Sequence, residues 1–73
     1  MRHGDLVKVV KLMEPERIRF VENLLGSVGI LVSAVAIPDH IAGEALFNGW
    51  EVMFPNGLDY LYEIELEVVS EKR

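Results

Sequence analysis

The residues of this 73-residue chain able to do chemistry are two histidines, a run of alternating glutamates and three serines. His3 and His40 are the only histidines, and there is no cysteine. His40 has Asp39 beside it and Glu44 four residues on. A metal centre takes three or four converging ligands at tighter spacing than this, so neither a metal nor another cofactor is expected. Glu63, Glu65 and Glu67 are spaced two apart. Carboxylates serve as general acids and bases where a pocket moves their proton affinity. On a strand, period two sets all three on one face, opposite Ile64, Leu66 and Val68. The expectation is a solvated face that also blunts a sheet edge. Ser27, Ser33 and Ser70 have no histidine nearby and no Gly-x-Ser-x-Gly elbow. Gly26-Ser27-Val28-Gly29 lacks the length and the lysine of a phosphate-binding loop. It reads as a turn followed by a glycine where two backbones approach closely. With no nucleophile–base pair and no ligand cluster, these residues point away from an enzyme.

The remaining candidates are surfaces. Trp50, Val52 and Phe54 alternate on one face and read as core. Tyr60 and Tyr62 are amphipathic, able to pack at one end and keep the hydroxyl wet, and are candidate surface contacts. Ile41, Leu46 and Phe47 fall in a connecting segment, where apolar side chains are unusual unless they dock on something. Leu31 and Val35 share a face of the most apolar segment and join them as interface candidates. Lys8, Lys11, Arg17 and Arg19 form the alternative, a local basic patch that with Tyr60 would suit nucleic acid. The charge balance opposes that reading. Residues 1–37 hold five bases and four acids, whereas residues 38–73 hold two bases and eight acids. The acidic half repels phosphate backbones.

These residues must be positioned by short extended elements. Leu6–Leu12 is rich in β-branched residues and predicts a first strand, opened by a turn at Gly4-Asp5. Residues 13–25 are compatible with a helix begun at Pro15 and ended by a left-handed Gly26. They also contain a strand-like alternation over Arg17–Val21. Val28–Ile37 is apolar on both faces, so it is central or one face meets a neighbouring chain. Trp50–Phe54 and Leu58–Tyr62 flank Asn56-Gly57, a strong hairpin signal. Glu63–Glu65 suits one tight turn, and Leu66–Val69 a last short strand. The chain reads as one all-β domain over residues 1–73. Five short strands leave exposed edges unless the sheet curls into a small barrel of the SH3-like kind, with an open β-sandwich half or an OB-like barrel as the alternatives.

Four pieces in this order carry a resemblance: Gly4-Asp5-Leu6-Val7-Lys8-Val9, Gly26-Ser27-Val28-Gly29-Ile30-Leu31-Val32, Trp50-Glu51-Val52-Met53-Phe54-Pro55-Asn56-Gly57 and Glu65-Leu66-Glu67-Val68-Val69. The layout resembles small SH3-like barrel proteins of bacteriophage and marine-metagenome origin. More distantly it is similar to the photosystem I accessory subunit and the nitrile hydratase β-subunit barrel, which would imply docking beside another protein. It also resembles ribosomal KOW-type barrels in its second strand, without the basic residues those bring there. The resemblance implies an SH3-like barrel and assigns no catalytic residue.

Composition sets the outer bounds. The chain is 51% hydrophobic and 26% charged with a net charge of −5, which is globular rather than disordered. A chain this short buries only about 60% of its extended surface and here has no disulfide to staple it. Part of the apolar surplus is therefore expected to meet another chain, most simply a second copy. No secretory leader is expected, since the first residues lead into mixed apolar and charged positions. The longest uncharged run, Asn23–Pro38, is shorter than the roughly 20 apolar residues of a membrane span. The expectation is a soluble cytoplasmic protein that self-associates without contacting membrane.

Overall fold

The computed structural model describes residues 1–14, 19–37 and 48–70. Five strands form one antiparallel sheet: β1 (Leu6–Val9), β2 (Val28–Val35), β3 (Gly49–Phe54), β4 (Gly57–Tyr62) and β5 (Leu66–Ser70), in the spatial order β4-β3-β2-β1-β5. A single 3-10 turn, Glu63–Glu65, links β4 to β5. The described residues are all-β apart from this turn, as the alternation and turn residues predict.

Turn chemistry sets the ends of the strands. Gly4 takes φ 90°, Asp5 N–H donates to Arg2 O, and the Asp5 carboxylate accepts the Arg2 N–H at 2.9 Å. This local closure delivers Leu6 into the sheet. β1 stops at Val9 because the next N–H, of Val10, donates to Glu65 O in the 3-10 turn. β2 stops at Val35 because the Asn48 side chain takes over the pairing. Its Oδ1 accepts the Ile37 N–H at 2.6 Å, and its Nδ2 donates to Ile37 O at 2.7 Å. The β3–β4 turn is centred one residue earlier than Asn56-Gly57 suggests. Phe54 pairs with Gly57, leaving Pro55 and Asn56 as the two turn residues. Proline at the second turn position and glycine at the fourth are favoured placements in type I turns, and Gly57 has φ 143°.

The inward side is built from every strand. Val7, Val9, Leu31, Val52, Phe54, Leu61 and Leu66 form the buried cluster, joined by Val21 and Leu24 from the β1–β2 connection, with Leu12, Trp50 and Val68 packed against it. Each fully buried Val or Leu contributes about 1.5–3 kcal/mol. The described part of residues 13–25 is neither helix nor strand. It is an irregular loop with Asn23 at φ 55° and Gly26 at φ 85°. The proposed helix start at Pro15 and the Arg17–Ile18 part of the alternation lie outside the described residues.

β2 is central, but its alternation is interrupted. Ile30 pairs with Met53 and Leu31 with Val52, yet Ser33 pairs with Glu51, so Val32 is an extra residue in a β-bulge. A bulge reverses the phase of a strand and bends it. Leu31 is therefore fully buried in the core, while Val35 lies on the other side and is half-buried. This corrects the reading of the two as one interface face, which assumed unbroken alternation.

Gly29 faces inward on β2. A Cβ there would sit 2.7 Å from Met53 O and from Val52 Cγ1, so β3 lies against bare backbone. Gly29→Ala is expected to cost about 1–3 kcal/mol by overpacking. An unchanged midpoint in chemical denaturation would refute this account of the β2–β3 contact.

Candidate functional site

Two buried carboxylates hold the β1–β2 loop against the sheet. Asp59, on β4, has 1% of its surface exposed, and Glu65, in the 3-10 turn, has none. One Asp59 oxygen accepts the N–H of Phe20 at 3.0 Å and of Val21 at 3.2 Å, and the other accepts its neighbour Tyr60 N–H at 2.8 Å. Glu65 uses one oxygen to accept the Tyr62 N–H at 2.8 Å, fixing the start of the 3-10 turn. Its other oxygen accepts the Met13 N–H at 2.9 Å and lies 3.6 Å from an Arg19 nitrogen. Arg19 also reaches Tyr60 O and Glu14 O, at 3.5 and 3.4 Å. Tyr62 hydroxyl closes the set by donating to the Glu14 carboxylate at 2.9 Å. The acids therefore supply acceptors to backbone N–H groups of the loop and of β4.

Glu65 is thus not on a solvated face with Glu63 and Glu67. The 3-10 turn has three residues per turn, not the strand's two, so Glu65 swings inward while Glu63 and Glu67 stay exposed. Tyr62 is likewise buried, 7% exposed, and its hydroxyl is engaged, which removes it from the surface candidates. Arg19 serves this junction too, its side chain only 12% exposed. Lys8 points outward from β1, and Lys11 lies exposed after it. Arg17, Ile41, Leu46 and Phe47 lie outside the described residues, as do Asp39, His40 and Glu44.

The surface the sequence did not single out is the outer face of the sheet. Leu6 pairs with Ile30, Ile30 with Met53 and Met53 with Leu58, so four apolar side chains stand in one row across β1, β2, β3 and β4. Ile30, Met53 and Leu58 are 46, 50 and 43% exposed, and Val28 beside them is 39% exposed. Leu6, Val28, Ile30, Met53 and Pro55 line a shallow depression. Each residue alone is unremarkable on a surface; the contiguous row makes this face a candidate interaction surface. The signal was the register, which only the paired strands reveal.

Charge borders this row. Lys8 stands next to Val28, its cross-strand partner. On the opposite border Glu51 pairs with Tyr60. Tyr60 is 40% exposed. A hydrogen bond to Glu51, then the nearby charge of Glu51, raise its phenol above the ordinary value of 10.0. Among the described residues no three histidines or acids gather as metal ligands, and no helix is long and apolar enough to cross a membrane. Compared with protein-family models, curated proteins and solved structures, the chain matches none.

Two predictions follow from this geometry. Glu65→Ala strips the acceptor from two N–H groups and leaves Arg19 facing a void. It is expected to lower stability by about 3 kcal/mol or more, with amide exchange around Met13 and Arg19 accelerating most. A loss under about 0.5 kcal/mol would show that the carboxylate does not hold the loop. Tyr60 is expected to ionise above pH 10, and Glu51→Gln to return it toward the ordinary value, as read by absorbance titration. Because its folded value is raised, this contribution to stability is complete below pH 10 and fades as pH rises through the folded value. An identical titration in the variant would refute the Glu51 contact.

Proposed function

We propose that this chain is a non-enzymatic protein-interaction module of the SH3-like barrel class that self-associates through the outer face of its sheet. The barrel class is supported by the strand order β5-β1-β2-β3-β4, the long connection between the first two strands and the 3-10 turn before the last. The interaction role rests on one observation, the exposed row Leu6–Ile30–Met53–Leu58. Such a face loses apolar contact with water on docking, which contributes about 25 cal/mol per Å² removed.

A non-enzymatic role is favoured by how the buried acids are used. Asp59 and Glu65 have their oxygens taken by backbone N–H groups and Arg19, so they serve architecture. Arg19 has the same commitment, which weakens a phosphate-binding reading.

The test is hydrodynamic. Full-length protein is expected to show a concentration-dependent rise in mass by sedimentation equilibrium, and Met53→Asp to abolish it while far-ultraviolet circular dichroism stays the same. A wild-type chain that remains a monomer at millimolar concentration would overturn self-association.

A further inference from the structure

The borders of the apolar row specify how a second copy would sit on it. This inference rests on the self-associating reading above and adds an orientation. Adjacent strands lie about 4.8 Å apart and successive residues about 3.4 Å along a strand. The row from Leu6 to Leu58 therefore spans about 14 Å, three strand spacings. Lys8 lies two residues from the row on β1, about 7 Å to one side. Glu51 and its partner Tyr60 lie two residues from it in the opposite direction, on β3 and β4. Measured from the middle of the row, the Lys8 corner and the Tyr60 corner are about 7 Å out in each direction, on a diagonal. The outward positions between them, Val28, Ile30, Met53 and Leu58, are uncharged.

We propose that two copies pack outer face to outer face with their strands crossing near a right angle, each Lys8 lying over the Glu51–Tyr60 pair of the other. A two-fold axis along one diagonal of the near-square patch exchanges just these corners. Orthogonal packing is one of the two common ways for sheets to meet, and a two-fold interface must be self-complementary. Aligned packing does not achieve this. It sets Lys8 over the partner's Pro55–Asn56 turn or over the Gly4 end of β1, neither of which carries an outward acid. The crossed arrangement forms the Lys8–Glu51 contact twice and places the apolar rows across each other at the centre.

Patch size sets the strength. A row about 14 Å long and two side chains wide is smaller than the roughly 800 Å² per partner of a standard stable interface. The dimer is therefore weak and concentration-dependent, and the two charge contacts decide its orientation more than its affinity.

The test is a charge swap measured by sedimentation equilibrium on the full chain at low salt. Lys8→Glu sets like charges opposite each other, as does Glu51→Lys. Each is expected to raise the dimer dissociation constant about tenfold. The double variant, Lys8→Glu with Glu51→Lys, is expected to return it to within about threefold of wild type. Circular dichroism and the melting midpoint of each variant establish that the fold is intact. If the singles dimerise like wild type, or the double is as weak as the singles, the crossed orientation is wrong. Met53→Asp separates the two readings: if it abolishes the dimer while the swaps are silent, the face stands and the orientation falls. If it leaves the dimer intact, both fall.

Discussion

The structure depends on where two carboxylates go. Glu65 and Asp59 are both removed from water, which costs several kcal/mol per ion unless the charge is matched. The matching comes from the long β1–β2 loop, which offers backbone N–H groups at Met13, Phe20 and Val21 and the Arg19 guanidinium. The dependence runs both ways. A loop of this length has no ladder of its own for its N–H groups, and irregular backbone is normally confined to the surface for that reason. Here the acids make burial of Val21 and Leu24 tolerable, and those two side chains complete a core that a five-stranded sheet of short strands leaves unfilled. The pairing is also local in space. Asp59 and Glu65 sit on either side of the β4 end, so a few residues anchor both halves of the loop.

The same 3-10 turn that turns Glu65 inward shapes the sheet. The spatial order places β4 and β5 at opposite edges, yet three residues connect them. The sheet must therefore curl until its edges approach. The Val32 bulge in β2 and the register shift between Leu6 and Val7 on β1 supply the bending. Curling concentrates large residues on the inside and leaves the outside convex. In a chain that is half hydrophobic, the inside is too small for all of them, and Leu6, Ile30, Met53 and Leu58 stand outside.

Much of the fold was legible in the residues, and what escaped has a common cause. The five strands, the turn at Gly4-Asp5, the tight turn at Glu63–Glu65 and the close approach at Gly29 all follow from local chemistry that stays local in the structure. The inward place of Asp59 is legible too. A turn centred on either Pro55-Asn56 or Asn56-Gly57 pairs Asp59 with an inward residue of β3, Val52 or Phe54. What escaped depends on an interruption of period two. The bulge at Val32 separated Leu31 from Val35, and the 3-10 turn separated Glu65 from Glu63 and Glu67. A bulge leaves no mark in a run as uniformly apolar as Val28–Val35, so alternation there carries no phase. The outer row escaped for a further reason: it is made of one residue from each of four strands, and no sequence window contains it.

The net charge of −5 at first argues against two copies meeting. Its distribution removes most of the objection. Of the outward-facing residues, Glu67 lies beyond Lys8 on the β5 edge, and Glu63 is in the 3-10 turn at the end of β4. The buried acids Asp5, Asp59 and Glu65 face inward among N–H donors. The apolar row itself is free of charge; Glu51 stands on one border, diagonal to Lys8 on the other, where Glu67 is the β5 partner of Lys8. On the outer face of β1 to β4, apolar burial and local charge favour the same encounter.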